Sequence, residues 1–206
     1  LGGNHLSLFN QRRLRSMERK IRKNLGAECG RSASLGELLG EDAACMARYL
    51  EQTTHCPVYG NTRTKYYPLG DDCYDDILAA LRGAERYIFI EYFIIEEGKL
   101  WNSVLDILRE KAAQGLEVRV IYDDIGSMAT LPGDYPARLE KLGVQCRVFN
   151  RFVPVVSLRQ NNRDHRKYMI IDGKTAFTGG INMADEYINV KRRFGNWKDS
   201  AIRPEG

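Results

Sequence analysis

His165 and Lys167 stand two residues apart in Asp164-His-Arg-Lys-Tyr-Met-Ile-Ile-Asp172. In an extended chain that spacing sends both side chains to one face. A neutral imidazole there can attack phosphorus, and an adjacent ammonium can neutralise the non-bridging oxygens of a phosphate diester. Gly179 and Gly180 follow at Gly-Gly-Ile-Asn182. They put no side chain in the way of close approach, and the Asn182 amide can donate to the same oxygens. Asp172 has the opposite strand parity from Lys167 and is expected to brace a turn without touching substrate. Each residue has a plainer reading: a lone strand histidine is more often structural, an edge lysine can discourage aggregation, and Asp-Gly is turn chemistry. Taken together they weigh differently. With three histidines, a chance HxKxxxxD match arises in roughly 1% of such chains at ordinary residue frequencies.

The elements that must hold these residues can be read from periodicity. Tyr74, Ile77, Leu78 and Leu81 mark an amphipathic helix, with Asp71 and Asp72 as capping candidates. Residues 86–95, Arg-Tyr-Ile-Phe-Ile-Glu-Tyr-Phe-Ile-Ile, suit a strand buried on both faces. Leu100, Val104, Leu105, Leu108 and Ala112 mark a helix that Gly115 can end. Residues 116–123 are a strand, Tyr135, Leu139 and Leu142 a helix closed by Gly143, and 144–149 a strand. This alternation, with the hairpin that follows it, predicts a mixed, largely parallel sheet with helices on both faces. Residues 167–171 and 175–178 then form a hairpin across Asp172-Gly173, entered through a polar linker at 159–164.

The 206 residues and net charge of +4 fit one α/β domain with a helical extension. Such a mild charge singles out neither nucleic acid nor membrane. The five cysteines are odd in number, widely spaced and without a CxxC pair, which fits reduced, buried thiols and no zinc site. No apolar run reaches the length of a membrane span. The basic stretch 11–25 repeats Leu14, Met17, Ile21 and Leu25 at helical spacing. A solvated helix packing a narrow stripe is the plainer reading, and a helix drawn to anionic lipid the functional one. A second helix is expected over 41–51. The start at Leu1 and the stop just after a strand-like Ala201-Ile-Arg suggest an excerpt of a longer protein.

HxKxxxxD followed by GGxN is the pattern of the phospholipase D superfamily, and His165-Arg-Lys-Tyr-Met-Ile-Ile-Asp-Gly-Lys-Thr-Ala-Phe-Thr-Gly-Gly-Ile-Asn182 resembles its bacterial cardiolipin synthase branch. The stretches Gly60-Asn-Thr-Arg-Thr-Lys-Tyr-Tyr, Val118-Arg-Val-Ile-Tyr-Asp-Asp and Trp197-Lys-Asp199 share the likeness. The resemblance implies a phospholipase D-like α/β half-domain over 59–206, preceded by a basic helical extension over 1–58. It makes His165, Lys167 and Asp172 the catalytic motif, places Gly180 and Asn182 at the substrate phosphate, and casts Asp199 as the carboxylate that orients the histidine. Family enzymes carry two such motifs, whereas His5 and His55 here lack the following lysine. The implied reaction converts two phosphatidylglycerol molecules to cardiolipin and glycerol through a phosphohistidine, with neither metal nor cofactor. Its partners would be anionic phospholipid, a membrane surface and the second motif half of the same protein, at the cytoplasmic face of the cell membrane. Nucleic acid is not the expected partner. Two alternatives stand beside this reading: a homodimeric phosphodiesterase or nuclease that gains its second histidine by symmetry, and a non-catalytic membrane-binding module using the basic helix.

Overall fold

In the computed structural model, residues 8–25, 37–54, 56, 58–153, 161–193 and 195–206 are described. Arg159 and Gln160 of the expected linker, His5, His55 and Cys29 lie outside the described residues. The chain forms two compact units, 1–61 and 62–206.

The first unit contains α1 (Leu8–Leu25) and α2 (Glu41–Thr54). Acidic Glu41 and Asp42 occupy the first turn of α2, where the positive end of the helix dipole favours them. At its other end the Thr53 and Thr54 hydroxyls donate back to the carbonyls of Tyr49 and Leu50 in the preceding turn. Among the described residues, no helix is long and apolar enough to cross a membrane.

The second unit is a seven-stranded mixed sheet built from β1 (Arg63–Tyr67), β2 (Tyr87–Tyr92), β3 (Glu117–Asp123), β4 (Gln145–Phe149), β5 (Tyr168–Ile171), β6 (Thr175–Gly179) and β7 (Ala201–Glu205). Their order across the sheet is β1-β7-β6-β5-β2-β3-β4. β2, β3 and β4 run parallel, and the pairs from β2 through β5, β6 and β7 to β1 are antiparallel. The helices are α3 (Tyr74–Arg82), α4 (Lys99–Ala113), the single turn α5 (Asp124–Ser127) and α6 (Tyr135–Lys141).

Alternation along the strands shows where the core lies. Ile88, Ile90, Val118, Val120, Cys146 and Met169 are buried on one face with Leu81, Leu108 and Leu139 from the helices. Trp101 of α4 donates its indole N–H to the Tyr135 hydroxyl of α6 at 2.6 Å, so the two helices share that cover. On the opposite face Tyr87, Phe89 and Ile121 are only half-buried. The fold class is the expected mixed sheet with helices. In its register, pairs such as Ile88↔Val118 put aliphatic residues on one side, while Phe89↔Arg119 puts aromatic and charged residues on the other.

Several local expectations are met in detail. Gly115 and Gly143 adopt the left-handed φ values of +91° and +80° just past α4 and α6, the C′ position only glycine fills without strain. Asp172 and Gly173 turn the β5–β6 hairpin with φ of 56° and 72°. Others need correction. Asp71 and Asp72 do not cap α3: they lie in a 3₁₀ turn whose end, Cys73, is the N-cap and offers no side-chain hydrogen bond. Instead Asp71 accepts from Asn189 Nδ2 at 2.9 Å. Cys73 and Cys146 are buried thiols whose pKa is pushed up to about 12 by burial, whereas Cys45 and Cys56 are exposed. The α4 N-terminus is capped from afar by Asp185, which accepts from the backbone of Lys99 and Leu100 at 2.8 Å each.

Asp172 does the same for β2. Its carboxylate accepts from the backbone N–H groups of Glu85, Arg86 and Tyr87, each at 2.8 Å, so the hairpin turn is tied to the strand entrance. Burial alone would raise its pKa, but the three donors, helped by Lys174, hold it below the usual carboxylate range. Stability from this contact is therefore complete above the unfolded value of about 3.9 and lost as pH falls through the lower folded value. Replacing Asp172 by Ala should strand three donors and lower stability by about 1–3 kcal/mol, read as a reduced urea midpoint at pH 7. An unchanged midpoint would show that water replaces the carboxylate without loss.

Candidate active site

The antiparallel register Glu91↔Tyr168 lays the entrance of β5 beside the exit of β2. His165 and Lys167 thus arrive next to Phe93, one residue beyond β2. The His165 imidazole meets the Phe93 ring edge-on, with centroids 4.7 Å apart and planes at 64°. The Lys167 ammonium stands 5.3 Å from the centre of the same ring. It also donates to the His165 carbonyl at 2.8 Å. The two side chains therefore converge, as their spacing predicts.

Their environments differ in a useful way. His165 is exposed, and among the described residues its imidazole has no hydrogen-bond partner. Lys167 is only 6% exposed, and among the described residues it forms no ion pair. Desolvation lowers its pKa, while the fields of Asp199 and Asp164 pull the other way. A buried cation held by a carbonyl and a ring face retains unneutralised positive charge, and an anion arriving beside His165 would gain from it.

Gly179 pairs with Ala201 at the start of β7, where a Cβ would lie 2.2 Å from the Ser200 carbonyl oxygen. At Gly180 a Cβ would lie 1.7 Å from Asp199 Oδ1. The space these glycines leave open is thus used by the chain itself and lets Asp199 press inward. Asp199 Oδ1 accepts from the Ser200 N–H at 3.0 Å, and its field reaches Lys167. No hydrogen bond joins Asp199 to His165 among the described residues. Asn182, 2% exposed, accepts from the Ile94 N–H at 3.0 Å and donates to the Tyr187 hydroxyl at 2.7 Å. It anchors the backbone directly after Phe93. Asp172 sits at the far end of β5, away from the pair, as its parity predicts.

A second layer fixes the histidine loop, and sequence reading missed it. Asp123, fully buried at the end of β3, accepts from Gly126 N–H at 3.1 Å, Asp164 N–H at 2.9 Å and Arg163 Nη1 at 3.2 Å. Asp164 in turn takes a two-pronged contact from Arg166, with Nε at 2.8 Å and Nη2 at 2.9 Å. Arg166 Nη2 also lies 2.6 Å from Glu91 of β2, whose carboxyl the Tyr168 hydroxyl meets as well. Residues 163, 164 and 166 are thus tied to β2 and β3, while 165 and 167 lie against the Phe93 ring. The only sequence signal was the charge alternation Arg-Asp-His-Arg, which carries no partner information.

The two carboxyls beside Arg166 titrate differently. The Arg166 contact, joined by a hydrogen bond from Glu91, holds Asp164 down at about 2 against its burial. Burial first, then the proximity of Asp164, raises Glu91. Of the two, Asp164 is the more readily ionised. Stability from Asp164 is complete above about pH 4 and disappears as pH falls through about 2. The account predicts that Asp164→Asn lowers the urea midpoint at pH 7 more than Glu91→Gln, by a difference of about 1–2 kcal/mol. Equal losses would mean that the carboxyls share the charge evenly.

An exposed imidazole and a buried ammonium thus meet at the Phe93 ring on a mixed α/β sheet. A family model described as "Cardiolipin synthase, PLD-like domain" matches residues 77–192, more than half of the chain, and the chain belongs to this family. A Streptococcus mutans protein described as uncharacterized is 49% identical over 161 residues, which are 78% of this chain and 35% of that protein. A cardiolipin synthase of Staphylococcus aureus is 37% identical over 142 residues, 69% of this chain and 29% of that enzyme. The chain thus spans about a third of the length of these curated relatives. Among solved structures, the fold is similar to NucT from Helicobacter pylori, with TM-score 0.52, 14% identity, and coverage of 70% of this chain and 86% of that one. It is also similar to a phosphatidylserine synthase from Haemophilus influenzae, with TM-score 0.53, 14% identity, and coverage of 69% and 33%.

Proposed function

We propose that this chain supplies one half of a cardiolipin synthase-type phosphatidyltransferase, with His165 as nucleophile. The observation that carries this reading is the exposed His165 imidazole beside the buried, unpaired Lys167 ammonium. Family membership adds the substrate class, a phospholipid, and the Staphylococcus aureus relative suggests phosphatidylglycerol.

In the first step His165 Nε2 attacks phosphorus of one phosphatidylglycerol. The phosphorus–oxygen bond to glycerol breaks, and glycerol leaves with a proton from a general acid. In the second step the hydroxyl of another phosphatidylglycerol gives its proton to that same group, now a base, and attacks phosphorus. The phosphorus–nitrogen bond breaks, cardiolipin forms and His165 is restored. Lys167 stabilises the charge that grows on the non-bridging oxygens in both steps. Gly180 and Asn182 shape the phosphate side of the pocket. Asp199 acts from behind Gly180, opposing the effect of burial on Lys167 and positioned to bias the histidine. Asp172 acts at a distance by fixing the strand pair.

One histidine cannot stand on both sides of phosphorus, so the general acid has to come from a second motif. The relatives are more than twice as long as this chain, which leaves room for that motif in the same polypeptide. A second copy of the chain is the other source. In either case, the acid lies opposite His165 along the line of displacement.

The test is conversion of labelled phosphatidylglycerol to cardiolipin by the complete polypeptide, with and without EDTA. Turnover should survive EDTA. His165→Ala should abolish it, and Lys167→Met should lower kcat by about 10²–10³. Cleavage of a single-stranded oligonucleotide that rises with dimer population and vanishes in His165→Ala would replace this reading with a homodimeric nuclease. Phosphatidylglycerol turnover unaffected by His165→Ala would contradict the nucleophile assignment.

A further inference from the structure

α1 carries seven basic residues and one acidic, Glu18, in eighteen positions. Its charge of +6 exceeds the +4 of the entire chain, so the remainder is net acidic and the cationic charge is concentrated on this helix. Arg12, Arg15 and Arg19 follow one another at spacings of three and four, which place them on one face. Like charges at those spacings repel and weaken a helix. Among the described residues none of Arg12, Arg13, Arg15, Arg19, Lys20 and Lys23 forms an ion pair. Leu14 and Met17, three apart, lie on a different face and are 45% and 52% exposed. Leu8 and Phe9 at the helix start are more exposed still.

Such a helix is poorly supported by itself. An isolated helix of this length is marginal in water, and most helical stability comes from packing an apolar face. Here the apolar face lies open and the cationic face is unneutralised. One kind of partner offsets both defects: a surface that is anionic outside and apolar a few ångströms deeper. A nucleic acid would neutralise the arginines but would leave Leu14 and Met17 in water.

We propose that α1 is a docking surface for anionic lipid bilayers. It lies in the headgroup plane, with Leu14 and Met17 turned into the acyl region and Arg12, Arg15 and Arg19 toward lipid phosphates. The long arginine stems cover the boundary between the two zones. This surface shares no residue with the His165 site, and its binding does not require that site.

The test is co-sedimentation of the purified chain with vesicles of pure phosphatidylcholine, or of phosphatidylcholine mixed with phosphatidylglycerol or with oleate. Oleate supplies negative charge without a phosphate diester, so its arm separates α1 from the catalytic pocket. The chain should bind both anionic vesicles and leave phosphatidylcholine, with helical circular dichroism rising on binding. Changing Arg12, Arg15 and Arg19 to Gln, a residue of good helix propensity, should weaken partitioning by about 10²-fold, roughly five-fold for each charge near the surface. The same positions changed to Lys should restore it. Leu14→Asp with Met17→Asp should also abolish binding, while Lys167→Met should bind as the unmodified chain does. Binding to phosphatidylglycerol vesicles lost in Lys167→Met and kept in the triple Gln variant would overturn the proposal in favour of the pocket. Equal binding to neutral and anionic vesicles would overturn it as well. So would tighter binding of a single-stranded oligonucleotide that ignores the Leu14 and Met17 changes.

Discussion

The antiparallel contact between β2 and β5 is the constraint on which the rest of the site depends. It sets the entrance of one strand beside the exit of the other, so that Phe93 faces both His165 and Lys167. A shift of one residue in this register would exchange the two faces of β5. Met169 and Ile171 would leave the core, and Lys167 would leave Phe93. Burial of Ile88, Ile90, Met169 and Ile171 on one face therefore fixes the position of the chemistry on the strand ends. The hydrophobic core and the pocket are two consequences of the same pairing.

Polar side chains reinforce that pairing at both ends. Asp172 grips the entrance of β2, and Asn182 grips its continuation at Ile94. Between them Glu91, Arg166 and Asp164 cross-link β2 to the histidine loop, and Asp123 adds β3. Asp123 and Asp164 are buried and are satisfied by backbone N–H groups and guanidinium groups, which makes these contacts directional and costly to lose. Lys167 is the exception. It is buried beside this network without an ion pair among the described residues, and that difference separates a charge available to a ligand from charges already used by the fold.

Much of this was legible in the chain. Period-two and period-3.6 patterns located β2 to β6 and α2, α3, α4 and α6, and Gly115, Gly143 and Asp172-Gly173 marked their ends. The spacing of His165 and Lys167 was enough to place them together. What escaped were contacts set by distant partners. Asp185 caps α4 from 85 residues away, and Asp123 reaches Asp164 across 41. Neither has a local pattern that names its partner. β1 was missed because four of its five residues face solvent, leaving no alternation to detect. The glycines at 179 and 180 were read as room for a ligand, yet the structure fills that room with Ser200 and Asp199. Residue type suggested an open space, and only the β6–β7 pairing decided what occupies it.

The central claim is that a buried, unneutralised Lys167 turns the exposed face of His165 into an anion site. Its most direct measurement is an NMR titration of the isotopically labelled 206-residue chain with inorganic phosphate, following the His165 Cε1–H resonance at constant pH and ionic strength. The account predicts a saturable shift that disappears in Lys167→Met, while the core resonances of Trp101 and Met169 stay in place. A shift that persists unchanged in Lys167→Met, or no shift in the unmodified chain, would contradict it.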